Sequence, residues 1–416
     1  MELLHNITEA MEKGDQAEVG RLLDNVLLEV EPDLLYELAE GLMNYGFAEE
    51  AARVYEHLIF LFPEENQLRI DKAQVLMEIG REDEALLILS EVPKTDEDYP
   101  IALLALADYY QMIGLHEAAE QRIDEAMSLL PDEPLLIFAK AELLLNSGRY
   151  LEAARLYEEL KKGNAELTGV NLSERLAEVY SAGAAYEEAI PYYEEAISSN
   201  HSPELLFGLG IAAFQVGRYK TAISTLEELL SMDPDYFSAY LLLSQAHAML
   251  EQNEKAYTVI TDGIQRDSFE KEYYLVAGKL TLKLGDTQSA EDHLRQAIAL
   301  DPEYMEALYT LMSLLHQYER DEEVIELFEQ LKHEGSDWPA LLPFVAESYS
   351  RNEQFERAYE IYTLAYTEHK EDPSFLEKYV YFLLEEGKRE EAIEILKQLQ
   401  NLAPDMRWIE LMDSLE

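Results

Sequence analysis

The chain repeats itself every 34 residues, and that period limits what it can fold into more than any other property. Laid side by side, PELLFGLGIAAFQVGRYKTAISTLEELLSMDPDY (Pro203 to Tyr236) and KEYYLVAGKLTLKLGDTQSAEDHLRQAIALDPEY (Lys271 to Tyr304) bring small and large residues into register without a gap. In the first of these, Leu205, Leu206, Leu209, Ala212 and Ala213 follow the spacing of one helix face. The run stops at Gly217, a residue able to take the left-handed conformation that ends a helix. A second run begins near Thr221 and carries Ala222, Ile223, Leu226, Leu229 and Leu230 on one side. Its end at Asp233-Pro234 predicts an aspartate cap and a first-turn proline for the next helix. Gly210 and Ala222 stand where the paired helices must approach closely. Each unit reads as a helical hairpin.

The unit resembles the tetratricopeptide repeat (TPR), whose pattern places a large residue at position 4, Leu at 7, Gly or Ala at 8, Tyr at 11, Ala at 20, an aromatic at 24, Ala at 27 and Pro at 32. Those positions hold Leu206, Leu209, Gly210, Ala213, Ala222, Leu226, Leu229 and Pro234, a good but incomplete match. Carried across the chain, the frame puts alanine at position 20 in ten of twelve copies, with Val19 and Val324 as the exceptions. Prolines test it independently: Pro32, Pro100, Pro134, Pro203, Pro339 and Pro373 fall at position 1, and Pro63, Pro131, Pro234, Pro302 and Pro404 at position 32. Position 15, the turn, is glycine at residues 14, 46, 80, 114, 148, 217, 285 and 387. The resemblance covers nearly all of residues 1 to 406. It implies an all-α, right-handed α-solenoid superhelix of about twelve TPR helix-turn-helix hairpins, closed by a C-terminal capping helix.

The frame also divides the chain. Residues 1–31 form a degenerate N-terminal repeat or cap, and 32–167 a block of four repeats in strict register. Residues 168–202 are an irregular repeat. The stretch before it, KKGNAELTGV, holds two extra residues, Gly183 comes one place early with Ala184 at the turn, and Pro191 falls inside the second helix. The region reads either as a joint or, more simply, as a tolerated insertion. Residues 203–406 hold six repeats, weakest where Val324 and Ser336 replace Ala and Pro and where Pro343 enters a first helix. In 407–416 the residues Trp408, Ile409, Leu411, Met412 and Leu415 are placed to cover the last hairpin.

By length alone 416 residues suggest two or three domains, but a fixed period overrides that in favour of one elongated stack, since a lone hairpin has too little core. With 85 acidic and 32 basic residues the net charge is −53, which repels nucleic acid and anionic membrane surfaces and favours a basic or neutral partner, or simply keeps an apolar stack soluble. There is no cysteine, so thiol nucleophiles, disulfides and cysteine-ligated metals are excluded. The N-terminus lacks a signal-like basic and apolar pattern, and no apolar window reaches the roughly 18 residues of a spanning helix; the expectation is a cytoplasmic protein.

Nothing in the sequence proposes an enzyme, a cofactor or a metal. The nine histidines lack metal spacing, and His116-Glu117 has no second histidine. Glutamate pairs such as Glu49-Glu50, Glu187-Glu188 and Glu194-Glu195 read as solvated faces of second helices, and Gly208 and Gly210 follow no strand, so they form no nucleotide loop.

In proteins that resemble this one, first helices line a concave groove, with positions 2, 5, 9 and 12 pointing into it. Carried over, these positions give Asp33, Tyr36, Glu40 and Met43, then Gln67, Ile70, Gln74 and Met77, then Leu135, Phe138, Glu142 and Leu145. Further along they give Glu204, Phe207, Ile211 and Phe214, then Leu241, Gln245, Leu275, Lys279, Leu282, Tyr309 and His316. The wall is apolar with interspersed carboxylates, suited to proteins or peptides with apolar anchors and neutral or basic flanks, unless tight winding buries it. Phe207, Ile211 and Phe214 make the strongest cluster. The lysine and asparagine set by which some TPR domains grip a chaperone's C-terminal carboxylate is missing from any three consecutive repeats. The function expected is a non-enzymatic scaffold or adaptor; the alternative is a peptide- or ligand-responsive regulator whose superhelix changes shape to control a second protein.

Overall fold

The turn at frame position 15 sets each hairpin. In the computed structural model, which describes residues 2–164, 167–333 and 338–415, all eight glycines at that position have φ between 68 and 83°. Ala184, Glu251, Glu319 and Glu353 occupy it in the other four copies and take the same left-handed conformation, with φ of 55 to 59°. The next residue then returns its N–H to the carbonyl five residues back, as Phe47 does to Leu42 at 2.8 Å and Asp286 to Thr281 at 2.9 Å. This is the closure that satisfies the last carbonyls of a helix.

The described chain is all-α, and its contacts divide it into two units. The first, Met1–Val216, begins with α1 (Glu2–Glu12), α2 (Gln16–Glu29), α3 (Pro32–Asn44), α4 (Ala48–Leu61), α5 (Asn66–Glu78) and α6 (Glu82–Ser90). It continues with α7 (Tyr99–Met112), α8 (His116–Leu129), α9 (Pro134–Asn146), α10 (Tyr150–Lys162), α11 (Leu172–Ala182), α12 (Tyr186–Ser199) and α13 (Pro203–Gln215). The second, Gly217–Glu416, holds α14 (Tyr219–Met232), α15 (Phe237–Met249), α16 (Asn253–Arg266), α17 (Lys271–Leu284), α18 (Thr287–Leu300) and α19 (Met305–Gln317). Then follow α20 (Asp321–His333), α21 (Leu342–Arg351), α22 (Phe355–His369), α23 (Pro373–Glu385), α24 (Arg389–Leu402) and α25 (Met406–Leu415). Odd-numbered helices up to α23 are the first helices of the frame. Within each unit a first helix packs on the second helix before it, and also on the next first helix, as α5 does on α7, α11 on α13 and α15 on α17. First helices thereby form one layer and second helices another.

All twelve residues at position 20, the ten alanines with Val19 and Val324, have no exposed surface. Small residues there let the helices close. Gly278 makes the same point at position 8, since a Cβ on it would come within 2.9 Å of Leu294 Cγ. Gly210 is buried as expected. The tightest approach, however, is at Gly208, where a Cβ would lie 2.5 Å from the ring of Tyr193.

Several local expectations are corrected. Asp233-Pro234 does not open the next helix: α15 starts at Phe237, Asp233 closes α14, and its carboxylate accepts from Asp235 N–H at 3.0 Å to turn the chain. Prolines do begin helices at position 1, as Pro32, Pro134, Pro203 and Pro373 show. Pro343 enters a first helix as expected, and does so in its first turn, because a 3-10 turn at Pro339–Leu341 delays α21 until Leu342. Pro191 falls inside a second helix as expected, on the exposed side of an uninterrupted α12. Glu50 is not solvated; it is 8% exposed because it shares an i, i+4 stripe with buried Val54 and Leu58. In the C-terminal helix Trp408 is buried among Leu396 and Leu399 and donates Nε1–H to Ala403 O at 3.2 Å, while Ile409 faces outward. Around the 161–170 insertion, Leu160 of α10 and Leu176 and Val179 of α11 share one core cluster. Ser336 and part of the insertion lie outside the described residues.

Candidate functional site

Two larger clefts, one in each unit, open between successive first helices, and each is lined by residues of the expected concave face. In the first unit, a cleft of about 490 Å³ lies between α3 and α5, with Tyr36, Glu40 and Met43 on one wall and Asp71, Gln74 and Glu78 on the other. Tyr55 comes in from α4 and meets Tyr36 edge to face, with ring centroids 6.0 Å apart. Tyr36 Oη donates to Asp71 Oδ2 at 3.2 Å and Gln67 Nε2 donates to Oδ1 at 2.7 Å. Burial pushes the Asp71 carboxyl above the usual carboxylate range; the two hydrogen bonds pull against this, and the charges of Glu40 and Asp98 add to it. Burial together with Asp71 pushes the Tyr36 phenol up to about 12, so it remains a donor at neutral pH.

In the second unit, a cleft of about 410 Å³ is formed by Leu282 of α17, the turn at Gly285 and Thr287, and Tyr309, Thr310, Ser313 and Gln317 of α19. It carries no charged side chain. Tyr309 is 47% exposed and meets the ring of Phe344 edge-on at 5.2 Å. A smaller cleft of about 210 Å³ lies between α21 and α23, where Glu347 is held by Lys378 and by His316 Nε2 at 3.1 Å.

The groove residues expected from the resemblance separate into four sets. Tyr36, Met43, Leu282 and Tyr309 line the clefts. Met77, Phe138, Leu145, Phe207, Ile211, Phe214 and Leu241 are half-buried by neighbouring helices; the ring of Phe138, for instance, packs on Tyr157 at 5.9 Å. Ile70 and Leu275 are corrections: both are buried, at 0 and 4% exposure, because consecutive repeats close over them and enrol them in the core. Lys279 is reachable but engaged in an ion pair with Glu306 of α19.

The cleft residues that positions 2, 5, 9 and 12 leave out have a pattern of their own. Asp71 and Thr310 are at position 6, and Asn44, Glu78 and Gln317 at position 13. Positions 6, 9 and 13 follow the same 3-and-4 spacing as 5, 9 and 12, so they form the adjoining stripe of one helix face. Tyr55, from a second helix, carries no such signal. Among the described residues no group of three or more His, Asp or Glu could hold a metal ion, and no helix is long and apolar enough to cross a membrane.

Comparison with known proteins agrees with this architecture. Residues 111–165 match the family described as YpiA-like, tetratricopeptide repeats, and residues 340–405 its C-terminal tetratricopeptide repeats. General tetratricopeptide-repeat families match 36–100, 174–225, 213–280 and 281–347. The TPR repeat-containing protein YpiA of Bacillus subtilis (strain 168) is 38% identical over 355 residues, 85% of this chain and 84% of that protein. Protein CTR9 homolog of Arabidopsis thaliana is 24% identical over 74% of this chain, but this covers only 30% of that protein. Among solved structures, the TPR protein YrrB aligns with 45% of this chain and 96% of its own at 18% identity and a TM-score of 0.38. The C-terminal part of a TPR repeat-containing protein from Cytophaga hutchinsonii aligns with 57% of this chain and 97% of its own at 18% identity and 0.49. With its repeat frame, its hairpins and a relative alike over most of both chains, this protein belongs to the YpiA family of tetratricopeptide-repeat proteins.

Proposed function

We propose that the protein is a non-catalytic cytoplasmic adaptor that holds segments of other proteins against the exposed faces of its first helices. Tetratricopeptide-repeat proteins generally mediate protein-protein interactions, and the observation that carries the reading here is the construction of the two larger clefts. Both lie between successive first helices, both use the frame positions of the concave face, and both combine aromatic rings with hydrogen-bonding side chains. Such a surface fits an extended or helical peptide with apolar anchors, which gains affinity from a few well-placed contacts. Phe207, Ile211 and Phe214 on α13 extend the proposed surface in the first unit. The cysteine-free composition suits a reducing compartment.

The test compares partners captured from native extract, identified by mass spectrometry, for the unchanged protein and for Tyr36→Ala/Gln74→Ala and Tyr309→Ala/Ser313→Ala variants with unaltered circular dichroism. A partner held by the unchanged protein and lost by either variant supports the reading. Partners retained by both variants place binding elsewhere on the molecule.

A further inference from the structure

At two junctions between successive first helices, one in each unit, a carboxylate at position 9 faces a base at position 6. At the junction of α9 and α11, the position-9 carboxylate Glu142 meets the position-6 base Arg175, Nε to Oε1 3.4 Å. At the junction of α21 and α23, position-9 Glu347 meets position-6 Lys378. Between α3 and α5 the position-9 residue is again a carboxylate, Glu40, but position 6 is Asp71. Two acids face one another where those two junctions pair an acid with a base, and Glu78 adds a third carboxylate to the same wall. No base on α5 relieves them: Lys72 pairs with Glu56 at 3.7 Å and Arg69 donates to Asn66 Oδ1 at 2.7 Å.

Acidity alone would mean little on a chain of this charge. What sets this place apart is that these carboxylates lie inside a cleft of about 490 Å³ walled by the rings of Tyr36 and Tyr55 and by Met43. The neutral cleft of the second unit, built at comparable frame positions, has none. A guanidinium is planar, donates in pairs to carboxylates and stacks on aromatic faces, so it meets both the charge and the walls of this cleft.

We propose that the α3–α5 cleft is a subsite for a basic side chain, arginine before lysine, of a bound partner peptide, which supplies from outside the base that Arg175 and Lys378 supply from within. This rests on the adaptor reading above and names the chemistry of one of its subsites. Glu40 and Glu78 hold the charge at the mouth. Asp71, fixed by Tyr36 and Gln67, receives the guanidinium at the base.

The probe is an array of fluorescein-labelled nonapeptides of leucine, alanine and serine with a central arginine, lysine, citrulline or glutamate, titrated against the full chain by anisotropy. Arginine peptides are expected to bind at least tenfold more tightly than the citrulline isosteres and to weaken with added salt. Glu40→Gln/Glu78→Gln, both exposed and outside the Tyr36–Asp71–Gln67 hydrogen bonds, removes that preference. Asp71→Arg, which rebuilds the internal pair, abolishes arginine binding even if the first variant folds poorly. Peptides that bind with no preference for arginine over citrulline, or whose preference survives both variants, overturn the subsite while leaving peptide binding intact. A complete absence of peptide binding overturns the subsite and the adaptor reading together.

Discussion

Tyr150, the first residue of α10, lies against Gly183 at the end of α11, so close that a Cβ on the glycine would come within 3.0 Å of the tyrosine Cβ. The glycine of this turn is displaced by one place for that reason: packing claims it at 183, where φ is −81°, and Ala184 takes the left-handed position at φ 57°. Two substitutions separate these demands. Gly183→Ala, which forces the contact, is expected to lower stability by about 1 kcal/mol, and Ala184→Gly, which relieves the backbone, to raise it by about 1 kcal/mol. Urea denaturation followed by circular dichroism measures both, and equal effects of the same sign would refute the division of roles.

Glu251, Glu319 and Glu353 pose the same question without a packing constraint on the preceding residue. Each takes φ of 55 to 59° where eight other repeats use glycine. Replacing each with glycine is expected to stabilise the second unit by about 1 kcal/mol, less the added freedom of the unfolded chain. The triple variant should show a higher thermal midpoint than any single one. An unchanged or lower midpoint would mean that the glutamate side chains make compensating contacts.

The period of 34, the position-20 alanines and the turn glycines were readable from the sequence because each answers to a single local demand, a close approach or a positive φ. Ala184 and Glu251 show how firmly the frame holds, since the turn keeps its geometry without glycine. Junction details were less readable. Asp233 and Pro234 obey local rules for a helix start, yet the chain needs three residues more to turn, so they serve the loop instead. At the site, the groove positions implied by the resemblance included Tyr36, Met43, Leu282 and Tyr309, but they could not say which residues stacking would bury, as it does Ile70 and Leu275, or that Asp71 and Thr310 on the adjoining stripe would face the clefts. Exposure on a helix in a stack depends on the residue opposite, and that residue is a full repeat away.

Gly208 was unremarkable in the sequence, yet its backbone approaches the Tyr193 ring more closely than any side chain would allow. Gly208→Ala should cost about 1 to 3 kcal/mol, since the buried ring must move. In a double-mutant cycle with Tyr193→Leu, the two costs should be strongly non-additive. Additive effects would show that the strain is relieved elsewhere.

Acid sensitivity should have an identifiable origin in the second unit. Burial of the Glu347 side chain pushes its carboxyl upward, but hydrogen bonds from His316 and Lys378, with the Lys378 charge, outweigh this and hold it below the usual carboxylate value. Arg351 of the same helix also lies 3.6 Å away. Because the folded value is the lower one, the ionised form favours the fold; its stabilisation is complete above the unfolded carboxyl range and is lost as pH falls through the folded value. Glu347→Gln should therefore destabilise the protein by about 1 to 3 kcal/mol at pH 7 and narrow its difference from the unchanged protein below pH 4. Urea midpoints of the two proteins at pH 7, 5 and 3 measure this, and a difference that stays constant with pH would contradict it.

The central claim is that the clefts between first helices receive segments of partner proteins. It is tested most directly by placing the photo-cross-linker p-benzoylphenylalanine at Gln74 or Ser313, in the two clefts, and at Leu87 or Phe269, both more than 60% exposed and outside them. After irradiation in native extract, adducts are mapped by mass spectrometry. The account predicts that one protein is captured from Gln74, Ser313 or both and is absent from the Leu87 and Phe269 samples. Capture of the same protein only from Leu87 or Phe269 would contradict it and move the binding surface off the first helices.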